Sequence, residues 1–175
     1  MSSKKDECIV MPKEKDNMKV RFAEQSFPIS LLTFSSDKPF DQVVSDFEKQ
    51  LGRFDESQAS KAADFASYVR RMEGSSGLMI LGTFDMSNLP ALAASSTRAR
   101  QYLVGNPLIA SELASHNTLT ALYAPIRVLI YTHEGRTCIS YDQPSTTFGR
   151  FQSNNILRTA QDDDEKYETL ARNSL

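Results

Sequence analysis

The stretch from Tyr102 to Asp142 constrains the fold most, because strand, capped helix, loop and hairpin follow one another there with little freedom between them. Gly105 permits an unusual backbone turn. The Asn106 side-chain oxygen can cap a helix, and Pro107 suits the first helical position, where no N–H is required. The spacing predicts a helix from Pro107 with Leu108, Ile109 and Leu113 on its apolar side and Ser111, Glu112 and Ser115 in water. Ile126, Val128 and Ile130 alternate with Arg127, Leu129 and Tyr131, the period of a half-buried strand. Glu134-Gly135 supplies a turn. Cys138 and Ser140 then alternate with Thr137, Ile139 and Tyr141 in the return strand.

The rest of the chain supplies partners for this stretch. Met1 to Asn17 is rich in Lys, Asp, Glu and Ser and lacks a long apolar core, so residues 1–24 are expected to form a flexible polar tail and 25–175 a single domain. Ile29 to Phe34 reads as a buried strand. A helix from about Pro39 to Leu51 puts Phe40, Val43, Val44 and Phe47 on one face, and Gly52 ends it. A second helix is expected from Gln58 to Met72, with Ala62, Phe65, Val69 and Met72 buried. Leu78 to Phe84 and Arg98 or Arg100 to Val104 read as strands, and Gln143 to Thr147 as a surface loop. The last helix runs from Ser153 or Asn154 to Arg172, with Ile156, Ala160, Tyr167 and Leu170 on one side. The pattern implies an α+β fold, with a mainly antiparallel sheet of about five strands and helices packed on one face.

A net charge of −2 and a pI near 5.7 leave no electrostatic footprint for nucleic acid. No apolar run reaches the length of a membrane span. Cys8 and Cys138 are too far apart for a zinc spacing or a disulfide framework, and both read as reduced thiols of a cytoplasmic protein. With only two histidines, His116 and His133, a multi-histidine metal site is impossible, and no metal or cofactor is expected. Dinucleotide-binding, phosphate-loop, nucleophile-elbow and metalloprotease motifs are all missing.

Several residues carry two readings. Arg127 interrupts an apolar strand, so its charge must meet solvent, a carboxylate such as Asp142 or Glu112, a dimer partner or a bound anion. His116 either complements the negative end of its helix or faces a ligand. Asn106 either caps its helix or helps the free N–H groups there hold an anion. Tyr102, Tyr131 and Tyr141 are core residues with wet hydroxyls or ligand contacts. A pocket between the sheet and the Pro107 helix, lined by Tyr102, Asn106, His116, Arg127, Tyr131 and Tyr141, would bind a small and, given Arg127, anionic molecule. Two other readings stand beside it. One is a cofactor-independent isomerase or cyclase of secondary metabolism, with His116 or a tyrosine as acid/base. The other is a structural or interaction protein with no pocket.

The run Tyr-Leu-Val-Gly-Asn-Pro-Leu-Ile-Ala from Tyr102, then Leu-Tyr-Ala-Pro-Ile-Arg-Val-Leu-Ile-Tyr and Tyr-Asp-Gln-Pro-Ser, resembles the domain-of-unknown-function family DUF302 in its fungal branch. Lys38-Pro39-Phe40-Asp41, Gly77-Leu78-Met79-Ile80 and Phe148-Gly149-Arg150-Phe151 extend the likeness to roughly residues 29–170. The resemblance implies a homodimer with a compact α+β fold and no established activity. Met86 stands where relatives carry a His in Asp-His-Gly, so any chemistry of that His is lost. Asp163 stands where relatives usually carry Leu.

Overall fold

Glu134 and Gly135 take φ values of 49° and 76°, the paired positive angles of a tight hairpin turn, and they set the register of the two strands on either side. The computed structural model in which this is seen describes residues 9–13 and 20–175. The remainder of the expected tail, Cys8 included, lies outside the described residues. Within that stretch, β1 (Ile9–Lys13) and β2 (Val20–Glu24) pair as an antiparallel ribbon.

The main sheet is built from β3 (Leu31–Ser36), β4 (Gly52–Arg53), β5 (Met79–Asp85), β6 (Ala99–Gly105), β7 (Ile126–His133) and β8 (Arg136–Asp142). Its order is β3-β8-β7-β6-β5-β4, and every pairing except the short β4–β5 contact is antiparallel. The five long strands are those the alternation predicts, and two-residue β4 is an added edge. Gly52 is required there. A Cβ on it would run into the Met72 carbonyl oxygen.

The helices are α1 (Phe40–Lys49), α2 (Glu56–Ala59), α3 (Phe65–Met72), α4 (Pro90–Ala94), α5 (Pro107–His116), α6 (Pro144–Phe148) and α7 (Asn154–Ser174). Helices α1 and α7 cover one sheet face, where Val43, Phe47, Ile156 and Leu170 pack against Tyr102, Val128, Ile130 and Ile139. Each such side chain contributes about 1.5–3 kcal/mol by leaving water. Ser153 caps α7 through its side chain, and the stripe of that helix, Ile156, Ala160, Tyr167, Leu170 and Ala171, is buried as its spacing predicts. The opposite sheet face is open over part of its area: Leu31, Thr33, Phe84 and Arg127 are exposed on it, Leu103, Leu129 and Tyr131 are half-buried, and Ala99, Cys138 and Ser140 are buried.

Three local expectations need correction. The strand expected to be buried over Ile29 to Phe34 is the edge strand β3, in which Leu31 and Thr33 are exposed and Leu32 and Phe34 half-buried, because only one of its sides pairs and only one of its faces meets the helices. The helix expected over residues 58–72 is two helices, because the Asp55 side chain caps α2 and the Asp64 side chain, accepting from the Ala66 N–H, starts α3 afresh. The buried positions shift to Ala59, Tyr68 and Val69, which form a small second core with Met79, while Phe65 is exposed. The expected surface loop at Gln143 to Thr147 is mostly helix. Pro144 at its first turn, with Thr147 and Phe148 buried, folds it onto α7.

Candidate functional site

Helix α5 starts where Asn106 and Pro107 place it, and the Asn106 side chain is fully engaged in doing so. Its Oδ1 accepts from the Leu108 N–H at 2.9 Å, and its Nδ2 donates to Glu73 Oε2 and to the Gly77 carbonyl, each at 2.9 Å. That lashing fixes α5 against the β5 end of the sheet. On the other side, the Tyr167 hydroxyl donates to the Val104 carbonyl at 2.6 Å and ties α7 to β6. Between these two ties lies a cavity of about 250 Å³.

Its floor is Val104, Leu113, Ile126, Phe148 and Tyr167, all buried. Half-buried Phe54, Leu81, Ala110 and Pro125 stand on its solvent side, where the Ala124–Pro125 peptide bond is cis. Within this apolar lining Asp163 is the one carboxylate, and only 6% of its surface is exposed. It sits four residues before Tyr167 on α7, hence on the same helix face. Its Oδ1 accepts from the Lys166 ammonium at 2.9 Å, and its Oδ2 accepts no hydrogen bond among the described residues. Burial pushes the Asp163 carboxyl above the usual carboxylate range, against the pull of Lys166. A carboxyl set between an apolar wall and one ammonium can accept a hydrogen bond, bind a cation or move a proton.

The six residues expected to line one pocket are not brought together. Asn106 alone lines the cavity, with its polar atoms already used. Tyr102 is buried on the helix-covered face, where its hydroxyl donates to Glu48 Oε1 at 2.8 Å; burial, then the Glu48 carboxylate, push the phenol up. Tyr141 is buried on the same face between Phe34 and Tyr167, and its hydroxyl has no partner among the described residues. Arg127 and Tyr131 point to the open face. Arg127 is exposed and forms no ion pair among the described residues, and the Tyr131 hydroxyl meets the Ser140 hydroxyl at 3.3 Å. His116 is exposed at the last turn of α5. The pairing register explains the split: Tyr102 and Tyr141 both lie opposite Val128, whereas Arg127 lies opposite Leu103. A single β-residue step moves a side chain to the other face.

Asp163, which the sequence marks only as a charge where relatives usually carry Leu, is the lining residue absent from the expected pocket. Its signal was its spacing, since it falls seven residues after Ile156 and four before Tyr167 in the buried stripe of α7. No group of three or more His, Cys, Asp or Glu able to hold a metal occurs among the described residues. No helix there is long and apolar enough to cross a membrane.

A family pattern described as "Domain of unknown function DUF302" matches residues 56–173. Among solved structures, the chain is similar to an uncharacterized conserved DUF302 protein from Bacillus stearothermophilus, with a TM-score of 0.61 and 16% identity over 83% of this chain and 98% of that one. That likeness is one of fold. No curated protein matches the chain.

Proposed function

The chain belongs to the DUF302 family, a domain of unknown function, and from that premise we propose that it binds a small, mainly apolar molecule in the cavity between α5 and α7. One observation carries this reading: a hydrocarbon-lined cavity that reaches the surface and holds a single, deeply buried carboxylate, the usual makeup of a small-molecule site. The anionic ligand expected from Arg127 finds no support there, because Arg127 lies on the other side of the sheet and Asp163 repels anions. Titration with propylbenzene, followed by amide NMR, tests the proposal. Saturable shifts along α5 and α7 that vanish in Ala110→Phe support it; shifts scattered over the surface, or none, overturn it.

A second reading, the cofactor-independent isomerase or cyclase, is favoured by the same Asp163, a buried carboxyl beside an apolar cavity whose pKa burial raises. His116, exposed at the end of its helix, has no part in it. The homodimer expected from the resemblance is also proposed. The open sheet face supports it, with exposed Leu31 and Phe84 beside half-buried Leu103 and Leu129. A light-scattering mass of one chain at micromolar concentration would dismiss that assembly. The fungal branch rests on the quoted motifs, and a cytosolic site rests on the free, buried thiol of Cys138.

A further inference from the structure

Every polar side-chain atom around the cavity is committed to the fold except one. The Asn106 amide holds α5, and the Tyr167 hydroxyl holds β6. Oδ1 of Asp163 is taken by Lys166, which leaves Oδ2 as an acceptor with no partner among the described residues, on a side chain only 8% exposed. Asp163 is the only charged side chain that lines the cavity, and no arginine, lysine or histidine lines it. Such a site rejects carboxylates and phosphates and favours a donor with positive charge. Resting on the reading of the cavity as a small-molecule site, we infer that its ligand is a small apolar amine, whose ammonium donates to Asp163 Oδ2 while its hydrocarbon body fills the cavity.

Size narrows the class. An apolar cavity of about 150 Å³ accepts benzene, so this larger one suits a body of about ten non-hydrogen atoms, an aromatic ring on a short chain. Burial penalises the Asp163 anion, whose only ionic partner among the described residues is Lys166, and an incoming ammonium on Oδ2 relieves that penalty further. The amine does not displace Lys166. It takes the other oxygen.

The test ranks four probes of nearly one shape against the full chain by calorimetry and amide NMR at neutral pH: phenethylamine, phenethyl alcohol, propylbenzene and hydrocinnamate. Phenethylamine is expected to bind about tenfold or more tightly than the alcohol or the hydrocarbon, the usual worth of a charge-assisted hydrogen bond, and hydrocinnamate weakest. Asp163→Asn keeps the shape and is expected to abolish the amine's advantage while propylbenzene binds as before. Lys166→Met, which removes the half-buried ammonium that shares the charge of Asp163, is expected to strengthen amine binding severalfold. If propylbenzene binds in the cavity and phenethylamine binds no better, or keeps its advantage in Asp163→Asn, the amine inference fails and the cavity reading survives. If none of the four binds there, the cavity reading itself is overturned, and the inference goes with it.

Discussion

Replacing Asp163 by Leu is expected to make the protein more stable at neutral pH. The two side chains branch alike, so the methyl groups of Leu stand where the carboxylate oxygens were, beside a cavity of about 250 Å³ that relieves any crowding. What is lost is one ion pair with Lys166. That lysine is 34% exposed against 8% for Asp163, so once released it turns to water at little cost. What is gained is the desolvation of a carboxylate that has only one partner, plus two more buried methyl groups. Exchanging a buried ion pair for apolar groups of similar shape is neutral or stabilising by up to about 4 kcal/mol, and the exposure of Lys166 places this case near 1–2 kcal/mol. In a chain of this size that raises Tm by about 2–8 °C. The pH dependence carries the sharper test. The folded pKa of Asp163 is raised, so the native state holds this proton to higher pH than the unfolded chain does. The wild type therefore loses stability relative to Asp163→Leu as pH rises from about 4, the unfolded value, through the raised native one. The groups facing Asp163 are Lys166, Asp162 and Asp164 on its own helix, and Tyr167, which stays neutral throughout because burial pushes its phenol up. The other elements around the cavity present no charged side chain to it. Urea unfolding of both proteins at closely spaced pH values measures the difference. A destabilised mutant at pH 7, or a difference that ignores pH, would refute the view of Asp163 as a desolvated carboxylate.

Tyr167→Phe removes a buried hydrogen bond to the Val104 carbonyl, so denaturant melts should show a loss of about 0.5–1.5 kcal/mol with the fold retained. Asn106→Ala strips the cap of α5 and two further bonds to Glu73 and Gly77; a loss of about 2–3 kcal/mol is expected, together with faster amide exchange in the first turn of α5. Arg127→Met should change stability by no more than about 0.5 kcal/mol, since the guanidinium is exposed and forms no ion pair among the described residues. A drop of many degrees in Tm would mean that it is paired after all, across a dimer interface.

Features set by neighbours in sequence were legible before the structure. Asn106-Pro107, the Glu134-Gly135 turn and the α7 stripe each specify themselves within a few residues, and each stands where its chemistry puts it. The helix over residues 58–72 was misread because a competing cap, Asp64, outweighed a continuous apolar spacing. The six-residue pocket failed for a different reason. Alternation within β7 separates Arg127 and Tyr131 from Ile126, but only the register between strands reveals that Tyr102 and Tyr141 share the face of Val128. The true cavity depends on α7 returning across β6, a contact between residues 63 apart, which no local pattern encodes.

The pairing of β3 with β8 sets a schedule for biosynthesis. Leu31 lies opposite Asp142, so the first strand of the main sheet is joined to the last. A ribosome adding residues at about 5–20 per second needs about 5–20 s to make the intervening segment, and through that interval β3 waits without its neighbour. Strands β5, β6 and β7 can assemble in order as they emerge, because each pairs with the one made next. The edge at β3 is thus sealed only after the Glu134-Gly135 hairpin has left the ribosome, and until then Leu32 and Phe34 offer a nascent-chain chaperone a short apolar strand to hold.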